Sequence, residues 1–155
     1  MLKVLQSKKP VVLLTVGYSE IPREYKEKYE TVEIGWINDE KRMAELYCIS
    51  DILLMPSRAE SFGMMAVEAM ASGRPVIVME GTALPDVTFA PDCGICISRE
   101  NPVQELKMTL ERLIQNPDEC RIRGDKGRAL VEKHYRFEDY VSRHIKLYCE
   151  LLERC

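Results

Sequence analysis

The sequence predicts an α/β fold: a single doubly wound parallel sheet of about five strands, with extra helices at the carboxyl end. Three observations carry this expectation. Residues 11–16 (VVLLTV), 51–55 (DILLM) and 75–79 (PVIVM) are continuous apolar runs of strand length, the pattern of parallel strands buried on both faces. Between such runs lie segments whose apolar residues recur at helical spacing. From Asn101 onward the pattern is helical throughout.

Taken in order, residues 1–7 place Leu2 and Leu5 at helical spacing without a start signal and read as the tail of a helix. Residues 11–16 form the first strand, a central one covered on both faces, and Gly17 ends it. Residues 22–29 are a short charged helix opened by Pro22, and 31–35 (TVEIG) are the second strand. In the loop beyond, Trp36 reads as a packed aromatic. Asn38 or Asp39 caps a helix over 40–49 that carries Met43, Leu46 and Tyr47 on one face. Residues 51–55 are the third strand, 64–72 an Ala- and Met-rich helix, 75–79 the fourth strand, 80–86 a loop and 94–98 the last strand.

The carboxyl-terminal third then reads as three helices. Asn101 caps the first, with Pro102 at its first position and Val103, Leu106, Leu110 and Leu113 along one face. Asn116 caps the second, Glu119 completing a capping box, and Gly124 and Gly127 weaken its middle before Tyr135. Phe137, Val141, His144, Tyr148 and Leu152 form the stripe of a final packing helix.

Composition limits the function classes. A length of 155 residues suits one domain, 1–155, and contents of 46% hydrophobic and 30% charged residues are ordinary for a soluble protein. A net charge of -3 leaves no basic surface for nucleic acid. No apolar run approaches the ~20 residues that span a bilayer, and residues 1–10 lack the core of a signal peptide, so a cytoplasmic chain is expected. The six cysteines are scattered rather than spaced as a disulfide framework. The pair Cys93-Gly-Ile-Cys96 lies on a strand, whereas redox pairs open a helix, and no second Cys or His pair is near to complete a zinc site. No metal site is expected.

Residues 56–75 (PSRAESFGMMAVEAMASGRP) organise the chemistry. They form a strand-to-helix turn at the carboxyl edge of a parallel sheet, where ligands bind and where the free N–H groups of a first helical turn favour negative charge. Gly63 would let a ligand approach the backbone closely. Two carboxylates flank this helix mouth. Glu60 stands in the turn, and Glu68 lies roughly 7 Å along the helix at ~1.5 Å per residue, embedded in MMAVEAMA, where a carboxylate needs hydrogen-bonding partners such as sugar hydroxyls. The alternative is a solvated Glu68 and a Glu60 that merely complements the helix dipole.

Together, the run PSRAESFGMMAVEAMASGRPVIV resembles the donor-site signature of retaining GT-B glycosyltransferases of family 4: a Pro-Ser, a Glu-x-Phe-Gly and a second Glu seven residues on. The resemblance is strongest over residues 51–78 and covers nearly the whole chain. It implies a Rossmann-like domain, the carboxyl-terminal half of a GT-B fold, that binds a nucleoside-diphosphate sugar. On this likeness Glu60 positions the transferred sugar, the backbone of Phe62, Gly63 and Met64 approaches sugar and diphosphate, and Glu68 holds the ribose hydroxyls. Ile37 would recognise the base through its backbone, with a uridine nucleotide preferred. Gly17 and Tyr18 stand where the family has a glycine loop beside the nucleotide, and Gly81 and Thr82 where it has Gly-Gly near the sugar. Arg58 is either a local cation for the diphosphate or a solvated loop residue.

The resemblance further implies that a first strand, a loop carrying Arg and Lys for the diphosphate, and an acceptor-binding domain precede Met1. It also implies that the last helix, lacking that domain, exposes Tyr148 or Leu152 and invites self-association. Any membrane association would be peripheral, through the absent domain. The implied activity is sugar transfer to an acceptor hydroxyl without a cofactor or metal, in bacterial-type surface polysaccharide or glycoconjugate synthesis. The chain alone would be inactive. A non-enzymatic nucleotide-binding module and a fragment of a GT-B sugar-nucleotide epimerase are the alternatives.

Overall fold

Strand β4 (Val76–Met79) is buried along its whole length and defines the layers. Side chains alternate across a strand. Accordingly Val76 and Val78 point into one core with Tyr47, Met55, Ala66, Met70, Leu84 and Val131, whereas Ile77 and Met79 point into another with Ile95, Ile97, Leu106, Leu110 and Leu113. Helices therefore cover both faces, which is the doubly wound α/β arrangement expected.

The computed structural model describes residues 5–17 and 20–153. Tyr18, Cys155 and the first four residues of the helical tail expected over 1–7 lie outside the described residues, and residues 5–7 are not helical. The elements run β1 (Val12–Thr15), α1 (Arg23–Lys26), β2 (Glu30–Glu33), α2 (Glu40–Ile49), β3 (Leu53–Met55), α3 (Met64–Ala71), β4, α4 (Leu84–Val87), β5 (Ile95–Ile97), α5 (Pro102–Gln115), α6 (Pro117–His134) and α7 (Phe137–Leu152).

All described strand pairs are parallel, but their three ladders form two sheets rather than one. β1 pairs with β2, Val12 opposite Glu30, while β3 pairs with β4, Leu53 opposite Val76, and β4 with β5, Ile77 opposite Ile95. No described ladder joins β1 to β3. Val11 and Leu54 instead pack against the shared core of Leu5, Ile77 and Leu113. This corrects the expectation of a covered first strand: residues 11–16 are half-buried at best and Val12 is 50% exposed, and among the described residues β1 has β2 as its ladder partner.

Several local expectations are also corrected. Asn101 and Asn116 make no side-chain cap bond; Pro102 and Pro117 open α5 and α6 instead, where a missing N–H costs nothing. Glu119 turns away from Asn116 to Arg123 Nε at 2.9 Å and Arg112 Nη2 at 3.4 Å. Gly124 and Gly127 are buried and bring α6 against α3: a Cβ on Gly124 would overlap the carbonyl of Gly73, and one on Gly127 would lie 3.3 Å from Met70 Cε. Residues 80–86 are not all loop, since Thr82 Oγ1 accepts from Leu84 N and starts α4. Trp36 is not packed but 61% exposed, its indole N–H bonded to Asn38 Oδ1. α7 buries no residue, leaving Tyr148 and Leu152 exposed as the resemblance implied.

Candidate donor site at the carboxyl edge

The turn from β3 to α3 is shaped by Gly63. It is the N-cap of α3 with φ 88°, a left-handed conformation that side chains disfavour, and a Cβ there would overlap Leu84 Cδ2. The space opened by the glycine is thus filled by Leu84, itself fully buried, rather than left for a ligand. No side chain caps α3. Met64 and Met65, its first two positions, are exposed, while Ala66 N donates to Gly63 O at 2.9 Å and so begins the helix's own bonding. Phe62 is partly exposed and meets the Tyr135 ring edge-on at 5.8 Å.

Glu60 and Glu68 differ in how they are held. Glu60 Oε1 accepts from the N–H of Ser61 at 3.0 Å, which leaves its other oxygen to a ligand, and its carbonyl accepts from Ala83 N at 3.4 Å. Glu68 is half-buried, and its Oε2 accepts from the Tyr47 hydroxyl at 3.0 Å. Tyr47 supplies the partner that the surroundings of Glu68 demanded. Burial pushes this phenol's pKa up, and the neighbouring Glu68 charge pushes it further, so it stays a donor. The sequence placed Tyr47 only on the apolar face of α2. A phenol on such a face needs a polar partner, and that is the signal that could have found it.

The other candidate residues lie in the loops after β1, β2, β3 and β4, and among the described hydrogen bonds none joins Gly17 or Ile37 to the motif turn. Gly17, φ 111°, donates its N–H to Gly35 O at 2.8 Å and so ties the ends of β1 and β2 together. Ile37, partly buried, follows Gly35 and precedes Asp39, whose carboxylate accepts from Lys41 N and Arg42 N to cap α2. Thr82 is spent locally, donating to Met79 O and accepting from Leu84 N, each at 3.2 Å. Gly81, φ 72°, lies against the Arg99 guanidinium. Arg58 is exposed, and its carbonyl accepts from Arg99 Nη2 at 2.6 Å. Neither Arg99 nor Glu80 was singled out from sequence, because their contacts form between loops far apart in the chain.

Other features carry no competing chemistry. Cys93, ahead of β5, is buried and Cys96, within it, is exposed; both are free thiols with pKa raised by burial. Among the described residues no group of three His, Cys, Asp or Glu could hold a metal ion, and no helix is long and apolar enough to cross a membrane. A depression of about 370 Å³ lined by Ala129, Glu132, Lys133, Arg136 and Asp139 mixes both charge signs and involves none of the motif residues.

Residues 1–116 match the family described as glycosyl transferases group 1, and the chain belongs to that family. It is 34% identical over 120 residues to the MMP alpha-(1->4)-mannosyltransferase of Mycolicibacterium hassiacum, covering 76% of this chain and 28% of that protein. The C-terminal domain of a glycosyl transferase group 1 family protein from Francisella tularensis superposes with a TM-score of 0.64 at 26% identity, over 74% of this chain and 58% of that one. Sucrose-phosphate synthase from Thermosynechococcus elongatus shares the fold, with a TM-score of 0.76 at 22% identity over 93% of this chain and 39% of that one. The chain therefore has the fold of the carboxyl-terminal domain of a GT-B glycosyltransferase. It spans about a third of the length of the curated relatives it matches.

Proposed function

We propose that this chain is the donor-binding part of a retaining glycosyltransferase, which holds a nucleoside-diphosphate sugar while an acceptor hydroxyl attacks from a second domain. The observation that supports the reading is a pair of differently held carboxylates, Glu60 in the turn ahead of α3 and Glu68 within the helix, which no side chain caps. Tyr47 donates to Glu68 on the helix, which supports the assignment of Glu68 to the ribose hydroxyls. Glu60 keeps an oxygen for the sugar in a turn pinned to Ala83. The N–H groups at Gly63 and Met64 face the diphosphate, whose leaving charge they stabilise by position rather than by proton transfer. Ile37 meets the base through its backbone. A uridine nucleotide is the preferred donor, no metal or cofactor takes part, and the setting is cytoplasmic synthesis of a surface polysaccharide or glycoconjugate.

In this reading the diphosphate-binding Arg and Lys and the acceptor site belong to a larger enzyme, so the chain alone binds donor weakly and transfers no sugar. Orientation of acceptor against donor supplies roughly 7 to 11 kcal/mol of such a barrier, and a single donor half cannot provide it. Calorimetry separates the two carboxylates. Glu68→Gln weakens binding of UDP and of a UDP-sugar alike, by about 1 to 3 kcal/mol, whereas Glu60→Gln weakens only the UDP-sugar. Equal effects of both substitutions on both ligands would sink the division of roles.

A further inference from the structure

We infer that Arg99 is a positioning residue for the donor sugar, a guanidinium clamp that sets the turn carrying Glu60 against the loop carrying Gly81 and Thr82. The inference rests on the donor-site reading above and assigns the geometry of its sugar end to a residue outside the motif. Arg99 lies two residues beyond β5, at the same edge as the motif turn. Its Nη2 donates to Arg58 O at 2.6 Å and to Gly81 O at 3.0 Å, and its Nε donates to Glu80 O at 2.8 Å. One planar group thus joins the loops after β3, β4 and β5. It pairs with no described carboxylate within ion-pair distance, so its donors go to backbone carbonyls.

The clamp is itself braced. Glu80 Oε1 accepts from Arg99 N at 2.7 Å and from Ser98 Oγ at 3.0 Å, which holds the start of the Arg99 side chain. These bonds keep the Glu80 carboxyl below its ordinary pKa, so it remains an acceptor. Gly81 is required on the other side: at φ 72° its absent Cβ would stand 2.9 Å from Arg99 Cζ. Once Arg58 and Gly81 are joined through Arg99, the Ala83 N–H to Glu60 O bond closes a ring of contacts that includes the Glu60 backbone. Lysine cannot replace this arrangement, because a single ammonium lacks the fixed fork that reaches three carbonyls at once.

The test pairs a ligand-free and a ligand-bound measurement on the whole chain, with Arg99→Ala and Arg99→Lys. In the free protein, both variants should exchange the Ala83 amide hydrogen faster than the unsubstituted chain. In titrations, both should retain affinity for UDP within about twofold yet lose roughly tenfold for UDP-glucose, and ethylguanidinium should restore part of that loss to Arg99→Ala only. Unchanged exchange at Ala83, or equal loss for UDP and UDP-glucose, would overturn the clamp. Faster exchange at Ala83 in the variants, with no binding of either nucleotide by the unsubstituted chain, would instead overturn the donor reading and, with it, the role assigned to Arg99.

Discussion

Replacing Gly63 by alanine tests whether the motif glycine serves packing as well as conformation. Two costs add. At φ 88° an alanine is in the left-handed region, and its Cβ would overlap Leu84 Cδ2, with Met55 Cε at 3.4 Å and Glu60 Cγ at 3.5 Å close behind. Leu84 is fully buried and has no free space to turn into, so the overlap must move α3 or α4. About 1 to 2 kcal/mol for the backbone and ~1 to 3 for overpacking give an expected loss of about 2 to 5 kcal/mol. Gly35→Ala is the control, since φ is 76° there but no atom lies within 4 Å. It should cost only the backbone part, about 1 to 2 kcal/mol. Urea unfolding of the two variants compares them directly. If Gly63→Ala costs no more than Gly35→Ala, the packing argument for the motif turn is wrong.

Three further outcomes are expected. Gly124→Ala should destabilise the chain by about 3 kcal/mol or more, because its Cβ meets the Gly73 backbone, whereas in Gly127→Ala the one tight contact is with the flexible end of Met70, its Cγ and Cβ lying at ordinary contact distance, and the change should be near neutral in urea unfolding. The contribution of Glu80 should be fully present above the ordinary carboxylate value of 4.5 and be lost as pH falls through its lowered folded value; Glu80→Gln should remove that part of the acid sensitivity of unfolding. Sedimentation velocity should show concentration-dependent association of the chain that Tyr148→Glu with Leu152→Glu abolishes, since α7 presents an uncovered apolar face.

What was legible in the sequence followed from local pattern. Residues 40–49 formed α2 over the expected span with Asp39 as its cap, and the E-x7-E run folded into a turn holding Glu60 and a helix holding Glu68. The misses are non-local. Hydrophobicity marked residues 11–16 as a strand but could not say that, among the described residues, only β2 would pair with it, because pairing is decided by other strands. Gly124 and Gly127 read as weak points in a helix until α3 lay against them. The partner of Glu68 came from a tyrosine 21 residues earlier, and Arg58 met Arg99 41 residues later, separations that carry no periodic signal. Asn101 and Asn116 showed the opposite failure: residue types right for caps, beside prolines that already began the helices.

The donor site is tested most directly by following backbone amide shifts of the isotopically labelled chain during titration with UDP to millimolar concentration. Shifts should concentrate at Ile37, Gly63, Met64 and Glu68, with small changes elsewhere. An absence of shifts throughout, or shifts centred on the depression at Glu132, Lys133 and Arg136, would contradict the donor-site reading.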